Sequence, residues 1–574
     1  MKFSLFILTL LTAATVNAQD ASLALQKSPK LSTETIASQW TKVPDGLNVS
    51  FATSNQRFAK ELPPVVAIKN SWSFSSWKGE TVNTQLLLWT KDAAQVSLEL
   101  SDLKSPEGNI IKKENLSTGF IKYVITDEFR DGCGYRKSAD FDSSYVADLI
   151  DAKTKVVTMT SNSTQPVWLA IKVPQQVKAG TYKGSVAVKG AKTLEISIRV
   201  IDKVLPAPSQ WAYDLDLWQH PAAIARVHKV QLWSDQHFAL MKDYYKMLAN
   251  AGQKTITTSI VNEPWGHQTY DDYPSLIKWT KKKNGTWTYD YSLFDKYVTF
   301  TMSCGINQRI NCYSMVPWKI AFTYFDESTN KEAVFTEAIG TPGYNLFWST
   351  MLKDFTRHLK QKNWFAKTYI AMDERPMPDM KSVIALLKSI DSEWKIALAG
   401  EYHEEIEKDV FNYCIASKWE YPAEVLKNRH AEGKISTWYT CCTEPYPNAF
   451  TFSSPAEQVW MGWYTANKNM DGYLRWAYNS WTKSPLTDSR FTAWPAGDTY
   501  LVYPGPFSSV RFEKMIEGAQ DFEKIKLLRK EYTAKNQTEK LQQLENALKQ
   551  FELSNLPKTT AAETLSKTKE ILNN

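Results

Sequence analysis

The sequence predicts a multidomain protein: an N-terminal antiparallel β-sandwich, then a (β/α)8 TIM-type barrel with a C-terminal helical extension. Three observations carry that prediction. From about residue 40 to 205, runs such as "TVNTQLLLWT", "VWLAIKV" and "TLEISIRVI" show period-2 alternation and are separated by turn signals. After residue 205, apolar strand-like runs alternate with amphipathic helical patterns, as in a parallel sheet wrapped by helices. These strand–helix repeats number roughly eight, the count that closes a barrel. The chain has 574 residues, more than one ordinary core holds, so several domains are expected in any case.

In chain order, the first segment, "MKFSLFILTLLTAATVNAQD", reads as a signal peptide over residues 1–18. Lys2 supplies the positive start, Phe3 to Leu11 the apolar stretch, and Val16-Asn17-Ala18 a small-residue cleavage site. The mature protein is therefore expected to be exported, periplasmic or secreted. No Cys follows the cleavage site and no later apolar run is long enough to span a bilayer. Residues 19–205 form the sandwich, and "LPAPS" (Leu205 to Ser209) is a proline-stiffened linker. Residues 206–533 form the barrel. Its strands are read at "YDLDLW", "KTITTSI", "QRINCYS", "KTYIAM", "WKIALAG", "NYCIAS", "KISTWYT" and "GYLRWAY". Residues 534–574 are Lys/Glu/Leu-rich and helical. An open doubly wound sheet is the alternative for the second part, but no glycine-rich fingerprint marks a nucleotide at its switch point.

Composition narrows the function. The formal charge of +7 is spread along the chain, and nothing asks for nucleic acid. Aromatic residues reach 13%, with 22 Trp and 27 Tyr, which leans toward carbohydrate because a flat ring covers the apolar face of a pyranose. Such residues equally fill large cores. The six cysteines, Cys133, Cys304, Cys312, Cys414, Cys441 and Cys442, are too sparse for a disulfide framework. Cys441 and Cys442 read as two buried thiols beside a functional strand. Without C-x-x-C or H-E-x-x-H, neither a metal nor any other cofactor is expected.

The chemistry concentrates in "TYIAMDERPMPDM", where Asp373 and Glu374 follow the fourth barrel strand and Pro376 and Pro378 stop further pairing. Read alone, the pair is a solvated first turn of a helix. Read in its place, it lies on the face where barrel enzymes hold their chemistry. Other strand ends add Trp218 and His220, then Glu263, then Tyr439, and finally Trp476, Asn479 and Trp481 from "RWAYNSW". Carboxylates ringed by Trp and Tyr suit a glycosidase acting on a glycan. An ordinary retaining glycosidase needs two carboxyls about 5–5.5 Å apart across the bond, which consecutive residues do not easily provide. They suit substrate assistance, in which a 2-acetamido oxygen is the nucleophile. Glu374 would protonate the leaving oxygen, and Asp373 would accept the acetamido N–H and stabilise the oxazolinium ion. A negative neighbour favours the protonated, acid form of Glu374. Tyr439 is the candidate donor to the acetamido carbonyl.

Alternatives stay open. Glu263 in "IVNEPWG" or Glu401 in "LAGEYHEE" could serve an ordinary two-carboxylate glycosidase, and a non-catalytic glycan-binding protein would keep the aromatics without turnover. His220 is either a sugar-hydroxyl ligand or a core histidine. The "FRDGCGYR" segment, 129–136, either reaches the barrel mouth or makes a tight turn. The sandwich is expected to support the barrel through an apolar docking face.

"DLDLWQHP", "AMDERP", "WYTCCTEPYPNAF", "GYLRWAYNSW" and "GDTYLVYPG" resemble the motifs of glycoside hydrolase family 123, the exported β-N-acetylgalactosaminidases and their uncharacterised relatives. The resemblance covers the barrel from about 211 to 525, and "KGETVNTQLLLWT" extends it to the sandwich. It implies that the family's adjacent carboxylate pair is Asp373 and Glu374. It further implies that sugar-binding aromatics are Trp218, Tyr439, Trp476 and Trp481. It alone tips the expected sugar from N-acetylglucosamine to N-acetylgalactosamine.

Overall fold

The computed structural model describes residues 31–129, 132–134 and 143–574. The expected signal peptide lies outside these residues, as does half of the "FRDGCGYR" segment.

The N-terminal domain is two stacked sheets. One has the order Asn48–Ala52, Thr81–Thr90, Ser163–Lys172, Leu116–Thr126, Ser144–Asp151, Ser508–Ser509. The other runs Ser71–Lys78, Leu194–Val204, Gly180–Val188, Ala94–Leu100, Val156–Met159. Between them Phe51, Leu86, Leu88, Leu169, Ile196 and Ile198 form the core, the product of period-2 alternation. Two features depart from a plain antiparallel sandwich. Ser71–Lys78 and Leu194–Val204 pair in parallel. Ser508–Ser509, from the second half of the chain, extends one sheet beside Ser144–Asp151 and covers its edge.

The barrel strands are Asp214–Leu217, Thr255–Ser259, Arg309–Tyr313, Thr368–Met372, Lys395–Gly400, Asn412–Ala416, Ile435–Tyr439 and Gly472–Arg475. Each coincides with an expected run, and every laddered neighbour is parallel. They are buried nearly throughout, because side chains fill the interior while helices cover the outside. Between the first and second strands the ladder shrinks to one bridge, Leu215 to Gln253. Glutamine side chains take over there. Gln253 accepts from the Leu217 N–H at 2.9 Å and donates to the Thr255 carbonyl at 2.8 Å. Gln219 accepts from the Thr257 N–H at 2.9 Å. A primary amide offers the donor and acceptor of a peptide group, so the seam stays satisfied without a continuous ladder.

Asp216 lies in the first strand, 3% exposed, and burial pushes its carboxyl up to about 7 with Arg309 opposing. The native state therefore holds a proton between about pH 4 and 7 that the unfolded chain has released, and stability falls as pH rises through that window. Asp216→Asn should accordingly raise the unfolding temperature at pH 8 more than at pH 5, measured by thermal unfolding. An equal change at both values would show that the carboxyl does not titrate there.

Loops after the second and third strands build a four-stranded sheet that the sequence does not reveal. Its order is Trp287–Asp290, Lys278–Lys281, Phe322–Asp326, Lys331–Phe335. Each run is short, and Lys278–Lys281 and Phe322–Asp326 come from different loops, so no local pattern announces them.

The helix Val510–Ala534 lies between the helix Pro455–Asn467 and the sandwich. Glycines make the helix crossing close. A Cβ on Gly462 would fall 2.2 Å from the Gly518 carbonyl oxygen, and one on Gly518 would fall 2.6 Å from that of Gln458. Helix propensity alone would reward Gly462→Ala by about 1 kcal/mol. Backbone collision reverses the sign: we expect a loss of about 1–3 kcal/mol, read from denaturant unfolding.

The expected apolar face is present, with Trp77, Val124, Val146 and Leu149 of the sandwich in one buried cluster with the barrel core and Val510 packed among Ile121, Ala147 and Ile150, but buried polar contacts cross it too. Gln520 exchanges hydrogen bonds with both backbone groups of Thr81, at 2.7 and 2.9 Å. Lys524 pairs with Glu80 at 3.1 Å, both buried. Arg511 and Arg57 converge on Asp148. The C-terminal extension adds short helices, and its Leu572 carbonyl accepts from the Trp77 indole of the sandwich at 2.9 Å.

Candidate active site

A cavity of about 600 Å³ opens at the C-terminal ends of the barrel strands. That volume suits a ligand of sugar size or larger. The fourth strand, Thr368–Met372, is wholly buried and delivers Asp373 and Glu374 to the cavity wall.

The two carboxylates diverge. Asp373 is only 14% exposed and turns toward the loop after the third strand. Its Oδ2 accepts from the Trp318 indole at 2.9 Å, and its Oδ1 accepts from Arg375 Nε and Nη2, each at 3.2 Å. Burial pushes the Asp373 carboxyl above its ordinary range, while Arg375 and Trp318 oppose that rise. Glu374 is exposed to the cavity, and its Oε1 accepts from the Tyr439 hydroxyl of the seventh strand. Burial first, then the nearby Glu374 carboxylate, hold the Tyr439 phenol above its ordinary range, so it remains a donor. The expected donor to an acetamido carbonyl is thus engaged with Glu374 in the free protein.

Aromatics line the rest. Trp218 lies 5.1 Å from Trp265 and 4.7 Å from Tyr313 by ring centroids. Its buried Nε1 has no partner among the described residues, so it is a donor left over in the wall. Trp476 meets Trp494 edge-on at 5.6 Å. Trp265, Trp318 and Trp494 escape the sequence reading. "NEPWG" draws attention to its Glu rather than its Trp, and the other two sit in loops without periodicity.

Three expected site residues are placed behind the wall. His220 caps the helix Pro221–His228 through Nδ1, and its Nε2 meets the Asp271 carbonyl at 2.9 Å. Burial lowers its imidazole to about 3, so it is neutral. Of its two readings, the structure gives the core histidine. Asn479 exchanges two hydrogen bonds with the His220 backbone, both 2.9 Å, tying the eighth strand end to the first. Trp481 is fully buried, donating to the Val502 carbonyl at 2.7 Å and stacking edge-on with Tyr244. Their polar groups are spent on packing.

The alternative carboxylates separate likewise. Glu263 is 8% exposed and accepts from the backbone N–H groups of Tyr273 and His267, closing its own loop rather than lining the cavity. Glu401 does line the cavity but pairs with Lys418 at 3.0 Å in the open.

The cysteine expectation is overturned for Cys442. It forms a disulfide with Cys133, 309 residues away in sequence, with Cα atoms 4.9 Å apart. Cys133 of the "FRDGCGYR" segment therefore reaches the barrel mouth, where it joins the cavity lining. Gly132 permits the approach, since a Cβ there would lie 3.0 Å from the Cys442 carbonyl oxygen. Cys441 remains free and half-buried, its thiol pushed up to about 12 by burial.

A parallel barrel with a carboxylate pair at a strand end, inside an aromatic cavity, defines a glycoside hydrolase. The family model described as the catalytic domain of glycoside hydrolase 123 matches residues 218–528, and its N-terminal domain matches 51–190. The chain belongs to glycoside hydrolase family 123. It is similar over 92% of its length to 97% of a family 123 glycoside hydrolase from Clostridium perfringens, at 28% identity and TM-score 0.82. That structure describes the details of glycolipid glycan hydrolysis. A Bacteroides ovatus GH5 xyloglucanase, in complex with a XXXG heptasaccharide, aligns over 82% of this chain and all of its own. Identity there is 8% and the TM-score 0.28, too low to carry an argument. A search of curated proteins finds no match.

Proposed function

We propose that this glycosidase releases terminal β-linked N-acetylhexosamine, with N-acetylgalactosamine the sugar, by substrate-assisted catalysis. The observation that carries the reading is the divergence of the two adjacent carboxylates. Asp373 is oriented by an indole and a guanidinium, as a group that receives an acetamido N–H and faces a developing cation should be. Glu374 stands free in the cavity but for Tyr439, as a group that gives and retakes a proton should. With Glu263 outside the cavity, Glu401 is the remaining candidate second carboxylate, and its ion pair with Lys418 suits binding better than nucleophilic attack. The acetamido oxygen attacks C1 as Glu374 protonates the leaving oxygen, forming the oxazolinium ion. Water, deprotonated by Glu374, then opens it with retention. Trp218 and Trp476 supply apolar faces for the sugar. Choosing N-acetylgalactosamine rests on the family, and a glycolipid-borne glycan is supported by the Clostridium perfringens relative.

Export belongs to the same proposal. The Cys133–Cys442 disulfide suits an oxidising compartment, and no helix among the described residues is long and apolar enough to cross a membrane.

Three matching aryl β-glycosides test the mechanism. The N-acetylgalactosaminide should exceed the plain galactoside by several orders of magnitude in kcat/KM, because the galactoside lacks the nucleophile and leaves Asp373 without its donor. Comparable rates would sink the mechanism. A preference for the N-acetylglucosaminide would overturn only the sugar.

A further inference from the structure

Resting on the substrate-assisted reading, we propose that Arg375 and Trp318 are positioning residues that clamp Asp373, fixing its carboxylate plane and keeping it ionised. The clamp joins two loops. Arg375 follows Glu374 on the fourth-strand loop, and Trp318 comes from the loop leading into the four-stranded accessory sheet. Trp318 is 46% exposed, yet its indole N–H is spent on Asp373 Oδ2 at 2.9 Å and its ring lies 3.8 Å from the Arg375 guanidinium. Arg375 itself is 8% exposed and gives two N–H groups to Oδ1. The tryptophan covers one face of the guanidinium, so the cation is held beside Asp373 with little competing water. The Trp318 backbone N–H is anchored to the Pro264 carbonyl at 3.0 Å, which sets the indole's position from the second-strand loop.

An ionised carboxylate offers about four acceptor sites, so the clamp leaves lone pairs for a substrate N–H. Without the clamp, the surroundings favour a proton on Asp373. The neighbouring Glu374 adds to the upward push of burial on the Asp373 carboxyl, and Tyr313 from the third strand presents a phenol rather than a cation. The cavity's other charges, Glu401 and Lys418, are paired with each other, and His403 stands with them at the strand-five side. Arg375 is therefore the cation that opposes burial of the charge. A protonated Asp373 could neither accept the acetamido N–H nor stabilise the oxazolinium ion.

The test is the pH dependence of kcat/KM for Arg375→Met, Arg375→Lys and Trp318→Phe on an aryl N-acetyl-β-galactosaminide, with folding checked by circular dichroism. Because Asp373 must be ionised, activity is lost as pH falls through its pKa, and removing the cation moves that acid limb upward. Arg375→Met should lower kcat about 10–100-fold and raise the acid limb by about one pH unit. Arg375→Lys should return the limb close to the wild-type position while leaving the rate reduced, since an ammonium cannot reproduce the two-pronged contact. Trp318→Phe keeps the ring over the guanidinium but loses the N–H, and should lower kcat with a smaller upward shift. Where turnover is too slow to follow, the same limb is read from the pH dependence of binding of an oxazoline-mimicking thiazoline. An Arg375→Met limb within about 0.3 unit of wild type overturns the clamp, because a purely structural role would cost rate and leave the limb in place. The failures are distinguishable. Wild-type enzyme that hydrolyses the plain galactoside equally well overturns the functional reading, whereas an unmoved limb with sugar discrimination intact overturns the clamp alone.

Discussion

Glu374→Gln should lower hydrolysis of a glycan with a poor leaving group by about 10²–10⁴-fold, the usual contribution of a positioned acid. The glutamine carbonyl can still accept from the Tyr439 hydroxyl, so the wall of the cavity keeps its connection to the seventh strand. What disappears is the proton. A nitrophenyl-type aglycone leaves with little protonation, so its release should be spared in part. The ratio of losses on the two substrates is the measurement that matters. Small, equal losses on both would remove Glu374 from the acid role and turn attention to Glu401, a cavity-wall carboxylate outside the adjacent pair.

The second large effect concerns the fold. Asp148 is fully buried and accepts from Arg511 Nε at 2.9 Å, from the Tyr503 hydroxyl at 2.6 Å and from Arg57 at 3.2 Å. Arg511 comes from the long helix after the barrel, so this carboxylate joins the two domains. Asp148→Ala leaves buried guanidiniums without a counter-charge, and we expect a loss of about 3–5 kcal/mol in denaturant unfolding. Replacing Asp148 and Arg511 together by apolar residues should cost much less, since no unpaired charge remains. The same physics bears on a barrel expressed from about residue 206. It would uncover the apolar surface that Trp77, Val124, Val146 and Leu149 share with the barrel core, besides leaving Arg511 and Lys524 without Asp148 and Glu80, and should be poorly soluble. A well-folded, fully active fragment would refute that dependence.

Legibility differs sharply between strands and walls. Eight barrel strands could be read from the chain because each is a short apolar run bounded by turn chemistry, and their order follows from right-handed strand–helix repetition. Asp373 and Glu374 were legible for the same reason: two carboxylates at a strand end stand out against apolar neighbours. Trp218, Tyr439 and Trp476 also line the cavity. His220, Asn479 and Trp481 follow the same strand ends, but two to five residues beyond Trp218 and Trp476 the side chains turn from the cavity into the packing. Residue type and strand position do not fix that direction. The accessory sheet was illegible because its pairing joins separate loops.

By itself, then, the sequence determined the two-domain architecture, the strand that bears the carboxylates and their place at the barrel mouth. These depend on local periodicity and chain order. Tertiary structure alone decided that Asp373 faces an indole and a guanidinium while Glu374 faces a phenol. It likewise decided that Cys442 pairs with Cys133 rather than resting as a thiol beside Cys441, and that buried charges join the apolar contacts between the domains. Apart from the Asp373–Arg375 contact, those outcomes join residues far apart in sequence, and the energy of such contacts depends on distances that only the folded chain sets.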